Sequence, residues 1–150
     1  MRMDSFEEVI RVAIEKETEA SELYEKASAM AEWSNTQMMF KELAAEERRH
    51  RQMLENLSAQ ELSPREVQTI PNLRIGDYLV ETPFTPDMNY QEVLILAIKR
   101  EERAFRMYED LGQGATDPQL QKLFQVLTQE EGKHKLRLET EYDEHVLTEL

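Results

Sequence analysis

Cysteine is missing from all 150 residues. A disulfide framework, a thiol nucleophile, a zinc–cysteine cluster and an iron–sulfur site are thereby excluded, so any metal must be held by oxygen and nitrogen. Glycine (4) and proline (5) are scarce. Against abundant Glu, Leu, Ala, Lys, Arg and Gln, that scarcity favours helix over sheet. Positive charge is also short: 18 Lys and Arg face 31 Asp and Glu, for a net charge of −13. No Lys/Arg-rich stripe offsets this locally, which disfavours nucleic acid and membrane surfaces as partners. No apolar run approaches membrane-spanning length, and the opening MRMDSFEEVI lacks the apolar stretch that export requires. A soluble cytoplasmic protein is expected. The length suits one domain, residues 1–150, able to bury roughly two thirds of the surface its unfolded chain exposes.

What is present is helical periodicity, in four stretches. The first is expected to start at Ser5, with Glu8 completing a capping box, and to run to about Ala31 with Ile10, Ala13, Ala20, Tyr24 and Ala27 on its apolar face. The second spans about Asn35 to Leu62 and carries Phe40, Leu43, Leu54 and Leu57 at the same spacing. Residues 63–89 hold four prolines (Pro64, Pro71, Pro83, Pro86) and scattered apolar residues such as Ile70, Ile75, Tyr78, Leu79 and Phe84. They suit a long packed crossover with at most short helical turns. A third helix starts near Asn89, with Glu92 as capping partner, and ends near Gly112 and Gly114. Asp117-Pro118 restarts the chain as N-cap and first helical residue of a fourth, reaching about Val146. Glu101, Tyr108, Glu131 and His134 follow Glu17, Tyr24, Glu47 and His50 by the same 84 residues, with Ala13, Ala20, Phe40, Leu43 and Leu54 matched by Ala97, Ala104, Phe124, Leu127 and Leu138. The chain therefore repeats a helical hairpin, 5–62 and 90–147, and the expected fold class is an all-α four-helix bundle of two hairpins joined by a long crossover.

Two of the three histidines follow a glutamate by three residues, as Glu47-Arg48-Arg49-His50 and Glu131-Gly132-Lys133-His134. On a helix that spacing puts carboxylate and imidazole on one face. With 25 glutamates in 150 residues, either pair alone is weak evidence. The signal comes from their equivalent places in the repeat and from the apolar stripes they interrupt. The inward positions read Phe40, Leu43, Glu47, His50, Leu54 on the second helix and Phe124, Leu127, Glu131, His134, Leu138 on the fourth. Glu17 and Glu101 break the stripes of the first and third. Burying four carboxylates together is costly unless positive charge compensates. Arg48, Arg49, Lys133 and Lys135 fall between the inward positions and should face solvent. Two divalent cations would balance Glu17, Glu47, Glu101 and Glu131, with His50 and His134 completing an oxygen/nitrogen shell; the ligand set suits iron, manganese or a mixed site. Tyr24 and Tyr108 fit either plain core packing or hydrogen bonding to the glutamates. Glu46 and Glu130 should be solvated or hydrogen-bonded to the ligands. His145 belongs at the surface or a helix end, and Met38, Met39, Met53 and Met107 in packing.

These residues resemble the rubrerythrin and ferritin-like diiron-carboxylate family over most of the chain, in the Glu17/Ala20/Tyr24 and Glu101/Ala104/Tyr108 spacings and in LAAEERRH and LTQEEGKH. The resemblance implies a ferritin-like bundle with two iron ions, bridged by Glu47 and Glu131. Glu17 and His50 would complete one metal and Glu101 and His134 the other. It further implies a dinuclear oxidoreductase of peroxidase or ferroxidase type that reacts with peroxide or oxygen and draws on an external electron donor, in a homodimer or higher homo-oligomer. No catalytic group beyond the metal ligands is singled out. Ala104 departs from the pattern, since rubrerythrins carry a further glutamate there. These residues also lack the cysteines of an appended rubredoxin domain, and Arg48 stands where bacterioferritin carries its haem-ligating methionine. An iron-handling or storage subunit, and a structural protein whose bundle a metal ties together, are the alternative readings.

Overall fold

The computed structural model describes residues 6–59, 74–80 and 82–146. Four helices account for most of them: α1 (Phe6–Met30), α2 (Ser34–Ala59), α3 (Tyr90–Gly114) and α4 (Pro118–His145), with a short 3-10 turn at Ile75–Tyr78. No strand occurs among the described residues, and no helix there is long and apolar enough to cross a membrane. The expected cap at Ser5, the end of the second helix at Leu62, and Pro64, Ile70 and Pro71 of the crossover lie outside the described residues.

Local chemistry explains the boundaries. Asn89 accepts from the Glu92 backbone N–H at 2.8 Å and the Glu92 carboxylate accepts from the Asn89 backbone N–H at 3.2 Å, a complete capping box that starts α3. Asp117 caps α4 through the Gln119 N–H at 2.7 Å, with Pro118 in the first turn. Each hairpin turn is closed by a glutamine at equivalent repeat positions. Gln37 Nε2 donates to the Ala31 carbonyl at 2.9 Å, and Gln121 Nε2 to the Ala115 carbonyl at 2.7 Å. These bonds occupy carbonyls that a helix end leaves without an intrahelical partner.

α1 packs on α2 and α3 on α4, and the hairpins meet through α1 against α3 and α2 against α4. The buried apolar residues fall into two clusters. One contains Phe6, Val9, Ile10, Leu54, Met107, Leu111, Phe124 and Leu127; the other contains Leu23, Ala27, Phe40, Leu43, Val93, Leu94, Ala97 and Leu138. Between them lies a layer of six buried polar residues, Glu17, Glu47, His50, Glu101, Glu131 and His134. Tyr78 packs on the first cluster and Phe84 on the second, so the described part of the crossover is anchored on the bundle.

Because the Asn89–Glu92 box acts only on the start of α3, Asn89→Ala should lower unfolding stability by about 1 kcal/mol and leave metal uptake unchanged. Chemical denaturation with metal analysis of both proteins checks this.

Candidate metal centre

Each helix delivers its polar residues to the bundle axis by the same periodicity that buries its apolar ones. Glu17, Glu47, His50, Glu101, Glu131 and His134 are all at most 2% exposed. One atom from each has no hydrogen-bond partner: Glu17 Oε2, Glu47 Oε1, His50 Nδ1, Glu101 Oε2, Glu131 Oε1 and His134 Nδ1. Orphaned buried polar atoms are uncommon in folded proteins, and each costs free energy. Here the six converge. Glu17, Glu47, His50 and Glu131 offer one ligand atom apiece within 4.8 Å of one another, and so do Glu47, Glu101, Glu131 and His134. Glu47 and Glu131 are common to both quartets, the places that the family resemblance gives to bridging carboxylates. His134 Nδ1 lies 2.8 Å from Glu47 Oε1 and 3.8 Å from Glu101 Oε2, and His50 Nδ1 lies 3.0 Å from Glu131 Oε1 and 3.7 Å from Glu17 Oε2. The atoms are close, yet they are aimed at common points and not at one another. Four carboxylate oxygens and two imidazole nitrogens so arranged fit two divalent cations.

Without cations this layer must balance its charge with protons. Burial pushes the Glu17, Glu47 and Glu101 carboxyls up, helped by the charge of their neighbours, Glu101 to about 8. For Glu131 burial acts the same way, but contact with His134 and His50 outweighs it and holds the carboxyl below the usual range. Burial opposes charge on the imidazoles, yet proximity to Glu131 and Glu17 pushes His50 up to about 11, and Glu101 and Glu131 push His134 up to about 10. The surroundings thus favour the protonated form of five of these six groups, all but Glu131.

The outer contacts cross between the repeats. Tyr24 on α1 donates to Glu101 Oε1 on α3 at 2.5 Å, and Tyr108 on α3 donates to Glu17 Oε1 on α1 at 2.5 Å. Glu17 and Glu101 therefore each have one oxygen held by a tyrosine and the other without a hydrogen-bond partner. Glu130 on α4 pairs with His50 Nε2 on α2, and Glu46 on α2 with His134 Nε2 on α4. With Nε2 of each imidazole engaged by an outer carboxylate, Nδ1 is the atom that faces the inner glutamates. Of the two roles open to Tyr24 and Tyr108, the structure shows hydrogen bonding to the glutamates. Glu46 and Glu130, one residue before the shared carboxylates in both repeats, bond to the imidazoles. Arg48 and Arg49 are exposed as expected; Arg48 pairs at the surface with Glu25, at 3.2 Å. His145 sits at the end of α4, bonded to Glu141 at 2.8 Å. Sequence periodicity missed the burial of Glu141 (5% exposed), because a lone glutamate on α4 has no polar counterpart in the repeat.

A cavity of about 40 Å³ reaches Glu17, Glu47, Glu101 and Glu131 from the α1–α3 side, past Ala20 and Ala104 and under Leu79 and Val80. Roughly 10–15 Å³ suffices for a water molecule. The 3-10 turn is held over this side by Tyr78, which donates to Asp110 Oδ2 at 2.7 Å, and by Arg103 Nη1, which donates to the Asp77 carbonyl at 3.1 Å. The short side chain of Ala104 leaves open what a longer residue would fill.

The rubrerythrin family model matches residues 8–142. Among solved structures, the chain is similar to a Thermotoga maritima protein described as ferritin-like and diiron-carboxylate. The TM-score is 0.83 at 23% identity, covering 96% of this chain and 98% of that one. This shows the ferritin-like fold. No curated protein matches the chain in sequence.

The outer carboxylates yield a specific expectation. Glu46→Gln and Glu130→Gln should each weaken metal affinity about 10–100-fold, the usual effect of losing a partner that orients a ligating histidine. Competition with a chelator of known affinity measures it.

Proposed function

The chain belongs to the rubrerythrin family, and from that premise we propose that its buried carboxylate–histidine layer holds two iron ions and works as a dinuclear oxidoreductase on peroxide or dioxygen. The observation that carries this reading is the set of six orphaned, convergent atoms, one from each residue expected to be a ligand. Bound as Fe(II), two iron ions supply one electron apiece to a small oxidant. The remaining work falls to the chain.

Glu47 and Glu131, common to both groups of potential ligands, would be shared between the two ions, while Glu17 with His50 and Glu101 with His134 would each serve one. Tyr24 and Tyr108 fix one oxygen of each terminal glutamate and leave the other free to follow a change in metal charge. Two apolar clusters above and below the layer keep bulk water away, which strengthens every electrostatic contact inside it. The cavity beside Ala20 and Ala104 gives an oxidant of peroxide size a way to the carboxylates. Reducing equivalents then come from an external donor.

Because Glu17, Glu47, Glu101 and both imidazoles are shifted toward their protonated forms in the metal-free protein, loading should expel protons. Titration with Fe(II) under anaerobic conditions near pH 7 should release protons, and affinity should fall on acidification. Adding hydrogen peroxide to the loaded protein should then oxidise the bound Fe(II). Protein that binds iron but leaves it ferrous in the presence of both peroxide and oxygen would refute the oxidoreductase reading. Ala104→Leu, which fills the cavity, should slow that oxidation without lowering iron content; stopped-flow absorbance with iron analysis separates the two effects.

A further inference from the structure

The two halves of the bundle carry matched aromatic stacks leading away from the centre. In one, Tyr24 stacks on Phe40 with ring centroids 6.2 Å apart, and Phe40 meets Tyr90 edge-on at 6.1 Å. In the other, Tyr108 stacks on Phe124 at 6.4 Å and Phe124 meets Phe6 at 6.2 Å. Geometry is shared to that point, and chemistry then diverges. The second stack ends at Phe6, which has no ionisable or readily oxidised group. The first continues: Tyr90 donates to Glu141 Oε1 at 2.7 Å, Glu141 Oε2 holds His145 Nδ1 at 2.8 Å, and the His145 ring stacks on Trp33 at 4.4 Å. Trp33 is the sole tryptophan of the chain and is 40% exposed.

At the 84-residue offset, Tyr90, Glu141, His145 and Trp33 stand opposite Phe6, Leu57, Glu61 and Asp117. Packing alone accounts for Phe40 and Phe124. It does not account for Glu141, 5% exposed where the other half uses Leu57, whose two oxygens engage Tyr90 and His145 and so tie those side chains into one cluster. The four departures form one connected series from the Tyr24 stack to the surface, and each is a residue that can carry an electron or a proton.

We propose that Tyr24, Phe40, Tyr90 and the Glu141–His145–Trp33 cluster form a one-electron path from the surface to the carboxylate centre. The direction of flow rests on the oxidoreductase reading above; the path itself does not. In the iron-loaded protein the oxidant is hydrogen peroxide beyond the one that two Fe(II) ions would reduce. Its conversion to two waters takes two electrons and two solvent protons, and Tyr24 supplies the electrons one at a time while its phenolic proton moves along the existing hydrogen bond to Glu101 Oε1. Tyr90 refills Tyr24 by one electron across Phe40, which is not itself oxidised. The Tyr90 proton passes to Glu141, and Tyr24 recovers its own from Glu101. Trp33 then returns an electron to Tyr90 as Glu141 returns the proton. An external one-electron reductant restores Trp33. One electron crosses per cycle and no proton is consumed along the path.

The test uses Tyr90→Phe, which installs the residue that the mirror position already carries, and Phe6→Leu as a change on the other branch. In metal-free protein, Trp33 is oxidised by a flash-excited ruthenium polypyridyl complex with an electron acceptor, and transient absorption follows conversion of the tryptophan radical to a tyrosine radical. The conversion should slow by about tenfold or more in Tyr90→Phe and remain unchanged in Phe6→Leu. In iron-loaded protein given hydrogen peroxide in excess of one per two Fe(II) ions and without reductant, Trp33 emission should be lost and its oxidation products found by peptide mass spectrometry. Tyr90→Phe should protect Trp33 per peroxide consumed. Equal conversion in Tyr90→Phe and wild type overturns the path. Consumption of peroxide beyond one per two Fe(II) ions with Trp33 left intact overturns its use by the centre. Wild-type protein that consumes no peroxide overturns the oxidoreductase reading and with it the direction of flow, while the metal-free flash result still decides the path.

Discussion

Four carboxylates cannot stay charged side by side in a protein interior without positive charge between them, and the rest of this structure follows from that constraint. Glu17, Glu47, Glu101 and Glu131 lie in a buried layer that a small cavity reaches. Protons can hold the balance, which is why three of the carboxyls and both imidazoles are pushed toward their protonated forms. Protons alone, however, leave six polar atoms without hydrogen-bond partners. Two cations would satisfy the charge and the orphaned atoms together.

The repeat supplies the means. A hairpin that offers one glutamate from its first helix and Glu-x-x-His from its second provides half of each requirement; two hairpins meeting face to face complete it. The outer hydrogen bonds then run between hairpins: Tyr24 to Glu101, Tyr108 to Glu17, Glu130 to His50 and Glu46 to His134. Packing the hairpins together therefore completes the hydrogen bonds that orient these side chains. Where the halves differ, at Phe6 against Tyr90 and Leu57 against Glu141, the difference lies outside this shared shell.

Much of this was legible in the sequence, because helix period, caps and the repeat are local or nearly so. The six inward residues stood out as breaks in apolar stripes, and Asn89 and Asp117 marked helix starts by short-range hydrogen bonding that the structure retains. The crosswise pairings were not legible. Tyr24 could be placed on the same face as Glu17, but its bond to Glu101 depends on α1 lying against α3. Glu46 and Glu130 preceded the shared glutamates in both repeats, a signal that pointed to them without naming the histidine each would meet. Glu141 and the glutamine clamps at Gln37 and Gln121 carried no periodic mark among many similar residues. The cavity past Ala104 exists only once α1, α3 and the crossover turn are assembled.

The central claim is that the six orphaned atoms define two metal positions sharing Glu47 and Glu131. Anomalous diffraction at the iron edge from crystals of iron-loaded protein tests it most directly. The account predicts two peaks per chain, one within Glu17, Glu47, His50 and Glu131 and one within Glu47, Glu101, Glu131 and His134. A single peak, or peaks lying outside this layer, would contradict it.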